Sequence, residues 1–132
     1  MRHFVAYHNT QRMGRSLHDG DALELGTDKP VNHLVGNVVW FIVGDGGSPK
    51  QYSLGSVFVV SEIGETTEGG FSRFARGAGH IFEPMPRLND LAWFSGLFKT
   101  TAHFSLGLQE VKDQQIVSAL LGLAAETGYE PV

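Results

Sequence analysis

The segment 34–43 constrains this chain more than any other. Val35, Val38, Val39, Trp40, Phe41, Ile42 and Val43 are β-branched or aromatic, the residue types that suit a pleated surface. The segment is too short to cross a bilayer, and Gly36 and Asn37 interrupt it. A strand with one face in water alternates apolar and polar residues, and here the apolar run is nearly continuous. Such a strand must be covered on both faces or curled into a barrel. The rest of the chain therefore has to supply cover for it.

Strand patterns flank this segment. In 3–8, Phe4, Ala6 and His8 share one face, with His3, Val5 and Tyr7 on the other. Asn9 and Thr10 then offer a turn or cap before 11–17, a short helix or loop. Segment 22–25 reads as a short strand, and 52–63 as a long or bent one in which Gly55 suits a bulge or corner. The glycine-rich 44–50 connects strands. Segment 71–75 alternates weakly, and Arg76-Gly77-Ala78-Gly79 breaks the pattern before 80–83 resumes it and Pro84 and Pro86 stop it.

Two helices are expected later. Asn89 is positioned to cap the first, with Leu91, Phe94 and Phe98 on one face. Phe104, Leu106 and Leu108 then alternate with polar residues as a half-buried strand. Asp113 caps a final helix whose apolar side carries Ile116, Val117, Leu120, Leu121 and Ala124, and Gly128 suits its end. The expected fold class is α+β: a single domain over 1–132, built on a small mixed, curled β-sheet or β-barrel with two or three short flanking helices. A length of 132 residues fits one domain with a sizeable core.

Composition narrows the chemistry. There is no cysteine, which excludes disulfides, thiolate metal sites and cysteine nucleophiles. With no long apolar signal region near the start either, a cytoplasmic location and no membrane association are expected. A net charge of −4 argues against bulk, non-specific nucleic-acid binding but leaves room for a local basic face. Six histidines invite a metal hypothesis, yet His3 and His8 point to opposite faces of a strand, His18, Asp19 and Asp21 sit in a turn, and no ligand spacing such as HExxH occurs. GDGGSPK lacks the spacing of a phosphate loop, and neither Ser56 nor Ser95 lies in a nucleophile motif. The reading assigns no metal, no cofactor and no catalytic residue, and favours a binding module over an enzyme.

Aromatic residues carry the binding argument. Phe41 and Phe94 read as core, whereas Trp40 and Trp93 are costly to place and serve flat ligands as stacking surfaces. Tyr7, His8 and Asn9 end the first strand at a turn, where side chains can meet a ligand at a barrel mouth. Arg12 follows, and Arg73 and Arg76 lie close in sequence.

The order of these segments resembles the PUA-like superfamily, and within it the EVE-type and YTH-related reader domains. The residues that carry the likeness are the opening strand at 4–8 with its turn, YHNTQRMG, the tryptophan-bearing strand at 34–43, the strand at 52–63, LNDLAWF, and FSLGLQEV leading into a helix. YHNTQRMG and the LNDLAWF to GLQEV region are also similar to reader domains fused to HNH restriction endonucleases. The resemblance implies recognition of a modified base in DNA or RNA. Trp40 and Trp93 would then wall an aromatic cage, Tyr7, His8 and Asn9 would read the base, and Arg12, Arg73 and Arg76 would contact the backbone. The alternatives are a nucleotide-like small-molecule binder, an enzyme using the same pocket, or a protein-interaction module.

Overall fold

The structure, a computed structural model, describes residues 1–9, 23–46, 50–67, 70–101 and 107–131, excluding the side chains of His8 and Asn9. The chain runs β1 (His3–Asn9), β2 (Glu24–Thr27), a 3-10 turn (Asn32–Leu34), β3 (Val38–Asp45), β4 (Gln51–Glu65), β5 (Arg73–Ile81), α1 (Phe94–Thr100), β6 (Gln109–Val111) and α2 (Gln114–Glu126). This is an α+β fold with one six-stranded sheet in the order β2-β5-β4-β3-β1-β6. Only β1 and β3 pair in parallel; the other neighbours are antiparallel. No helix among the described residues is long and apolar enough to cross a membrane.

The apolar run of β3 is buried on both sides, as its composition requires. Val38, Trp40 and Ile42 join a cluster with Val5, Leu54, Val57, Phe94, Leu97, Ile116, Val117, Leu120 and Ala124, so α1 and α2 cover this face. Val39 and Phe41 join a second cluster with Phe4, Ala6, Leu25, Val31, Leu34, Phe58, Val60, Ala75 and Leu108. The second cluster draws on both outer ends of the sheet. In a flat sheet β2 and β6 would lie about 24 Å apart, at ~4.8 Å per strand. Yet Lys29, just after β2, donates from Nζ to the carbonyl of Leu108, just before β6, at 2.7 Å. The sheet therefore curls around its second cluster.

Irregularities in β4 make that curl. Phe41 pairs with Ser56 but Ile42 with Leu54, leaving Gly55 as the extra residue. The bulge expected at this glycine reverses the alternation, so Leu54 and Val57 face the same cluster. A second shift between Val60 and Glu62 leaves Ser61 extra.

Most of the strand expected over 104–108 lies outside the described residues, and the described strand β6 covers Gln109–Val111. Three sequence expectations change. The long strand expected over 34–43 begins at Val38, because Asn32–Leu34 form the 3-10 turn and Gly36 follows at φ 83°. The glycines at 76–79 do not break β5, which runs through them. A Cβ on Gly77 or Gly79 would overlap the carbonyl oxygen of Val59 or Val57, so the close approach of β4 requires glycine there. Asn89 does not cap α1, which starts at Phe94 without a side-chain cap. Asn89 instead accepts from the Tyr52 amide at 2.7 Å and donates to the Lys50 carbonyl at 3.0 Å.

The terminal helix behaves as expected. Asp113 accepts from the Gln115 amide at 2.9 Å, and Ile116, Val117, Leu120 and Ala124 are buried. At the other end Gly128 adopts φ 85°; Tyr129 N–H donates to Ala124 and Gly128 N–H to Ala125, the paired bonds of a Schellman cap.

Candidate functional site: an aromatic cluster at one end of the sheet

β1 ends at Asn9 opposite Gly44, and Gly44 in turn pairs with Tyr52 near the start of β4. At this end of the sheet Tyr7 and Tyr52 lean toward each other across Gly44, with ring centroids 6.1 Å apart. Glycine is needed between them, since a Cβ on Gly44 would fall on the Tyr7 phenol. Tyr52 then meets Phe94 at 5.4 Å and Phe98 at 5.2 Å, and Trp93 sets its indole edge-on to Phe94 at 6.4 Å. A continuous line of rings thus joins the first strand to α1.

The backbone of Tyr52 is held in place. Besides the two Asn89 bonds, Leu88 N–H donates to the Tyr52 carbonyl at 2.9 Å and Leu54 N–H to Pro86 at 2.9 Å. The segment 86–89 therefore lies along the part of β4 that β5 has left. Phe94 is buried, while Tyr7, Tyr52, Trp93 and Phe98 are half-buried. Burial pushes the phenol pKa of Tyr7 up, with a smaller contribution from Tyr52, and burial alone does the same for Tyr52. Both phenols stay protonated and able to donate hydrogen bonds well above neutral pH.

The expected site residues divide accordingly. Tyr7 and Trp93 belong to one ring cluster. Trp40 does not stand beside them as a cage wall: it is 0% exposed, beneath the helices. Its indole N–H donates to Nδ1 of His3 at 2.9 Å, and the two rings stack at 6.1 Å and 19°. The cause is the sheet order, which places β3 between β4 and β1 and turns Trp40 toward the face that α1 and α2 cover. His8 and Asn9 fall on the last residues of β1, next to Tyr7; their side chains lie outside the described residues, as does all of Arg12.

Arg73 and Arg76 do not form one basic patch. They are three apart on β5 and so point to opposite faces. Arg76 pairs with Glu62 at 3.1 Å and lies 4.3 Å from the Phe74 ring centroid. Arg73 donates to the Asp28 carbonyl at 2.6 Å. From Tyr52 to the β4 residue opposite Arg73 runs about 40 Å of strand, at ~3.3 Å per residue. Both arginines thus lie across from the end of β4 opposite Tyr52.

Sequence reasoning missed Tyr52, Gly44 and the bracing role of Asn89. Tyr52 was placed at the start of a strand, but only the β3–β4 register sets it beside Tyr7. No group of three potential metal ligands occurs among the described residues. No known protein family, curated protein or solved structure matches the chain.

Proposed function

We propose that this chain is a binding module that holds one flat base, a modified base of DNA or RNA, against the rings of Tyr7, Tyr52 and Trp93. The observation that carries the reading is the unbroken line of rings at one sheet end, half-buried and braced from behind. A base taken out of its stack loses π contacts and regains them on such rings, while phenol donors read its edge. The curled mixed sheet around an apolar interior suits a PUA-like barrel, and the cysteine-free composition suits work in the cytoplasm. Trp93 is the half-exposed tryptophan and Trp40 the sealed one, so ligand stacking should quench the longer-wavelength part of the emission. Oligonucleotides carrying modified and unmodified bases are titrated at low and high salt, with Trp93→Ala and Tyr52→Ala as variants. Quenching by a modified oligonucleotide, lost in folded variants, is expected; no response to any oligonucleotide rejects the reading.

One observation favours a second reading, a free nucleotide-like metabolite in the same place. Arg73 and Arg76 lie far from the rings, and Arg76 is tied to an acidic neighbour. A nucleic acid gripped through several phosphates loses affinity steeply with salt. Binding of free nucleosides that matches the oligonucleotide affinity and ignores salt selects this second reading.

A further inference from the structure

The end of the curled sheet opposite the rings carries a different kind of opening. Register places Thr27, Arg73 and Glu65 in one row across β2, β5 and β4. Two rows back lie Leu25, Ala75 and Ile63, all packed in or against the cluster inside the curl. Side chains two apart on a strand share a face, so Arg73 and Glu65 stand at the mouth of that interior. An open cavity of about 480 Å³ lies there, lined by Glu65, Thr66, Thr67, Ser72 and Arg73.

The two charges at this mouth are directly opposed yet do not pair. The guanidinium of Arg73 is drawn the other way, to the Asp28 carbonyl, which uses one of its five N–H donors. Oδ1 of the Asp28 carboxylate accepts from the amide and hydroxyl of Ser72, at 2.9 and 3.1 Å. Arg73 is therefore fixed and half-buried with most of its donors unspent, and Glu65 is an exposed carboxylate with no ion pair among the described residues. A dianion such as phosphate would meet Glu65 unfavourably, and a cation would meet Arg73. A small molecule carrying both charges satisfies both.

We infer that this mouth is a binding site for a zwitterion of the α-amino-acid type, its carboxylate on the Arg73 fork and its ammonium toward Glu65. The hydroxyl of Thr67 supplies a neutral partner for either group. The site is distinct from the ring cluster and does not depend on what binds there.

The test is amide NMR of the whole chain with the common α-amino acids, each checked against its N-acetyl and C-amide derivative. At least one amino acid is expected to shift the amides of Ser72 and Arg73, and neither derivative of it should do so. Glu65→Gln, at an exposed position whose carboxylate has no ion pair among the described residues, and Arg73→Lys, which keeps the charge but loses the fork, should each weaken binding about tenfold, the effect of one charge-assisted hydrogen bond. The inference is overturned if no amino acid shifts these amides, if the derivatives bind equally well, or if Glu65→Gln leaves affinity unchanged.

Discussion

His3 and Trp40 form a buried pair that requires a neutral imidazole, because Nδ1 must accept the indole proton. The His3 pKa is lowered, first by burial and then by the nearby N-terminal ammonium. The unfolded chain thus takes up this proton before the folded one. The contribution to stability is complete above the ordinary histidine value and is lost as pH falls toward the folded value. His3→Asn keeps an acceptor but cannot titrate in this range. The melting temperature of the wild type minus that of His3→Asn should shrink between about pH 7.5 and about pH 5, on either side of the unperturbed histidine pKa; a difference that stays constant would remove the argument. The sequence makes clear that Trp40 sits in a doubly covered strand. It gives no sign of the partner 37 positions away that commits the indole to the core. Tyr52 teaches the same lesson from the other side, since its neighbour Tyr7 is defined by strand register alone.

Among the elements, those specified by local chemistry were the legible ones. α2 carries its own cap, stripe and stop signal, and all three appear where the spacing puts them. β5 was harder, because glycine has low strand propensity and its use there depends on another strand. Gly79→Ala should destabilise the chain by about 1–3 kcal/mol, the usual cost of overpacking, or more where backbone is the obstacle, as chemical denaturation would show. If Gly79→Ala is neutral, the close β4–β5 approach is not what glycine serves. Asn89 misled for a related reason: Asn suits a helix start, but the same side chain can bridge two backbone groups of a neighbouring strand. Nothing local distinguishes the two uses.

At the scale of the whole molecule, the curl depends on contacts between residues remote in sequence, which composition could require but not place. The continuous apolar run demanded cover on both faces; the helices provide one cover and the curl the other. Lys29 ties the outer strands through Leu108, and Lys29→Ala should cost about 0.5–1.5 kcal/mol, the net worth of one hydrogen bond. Hydrogen exchange should quicken in β2 and β6 while β3 keeps its protection. Equal acceleration in β3 would mean the bond supports the entire sheet and not only its outer strands. The ring cluster and the opposed charges lie at opposite ends of β4, so each can be altered without touching its counterpart.

The position of β1 has a consequence for how the chain is made. It precedes the other described strands in the chain, yet it sits between β3 and β6, and the Arg2–Glu110 ion pair that fastens it to β6 spans 108 positions. During synthesis β3, β4 and β5 can assemble as an antiparallel meander while β1 waits with both of its edges unpaired. Its parallel docking on β3 comes with the cost of closing a long loop, and β6 completes it only after the meander has been made. The nascent chain should therefore resist protease along the meander well before it does so at β1.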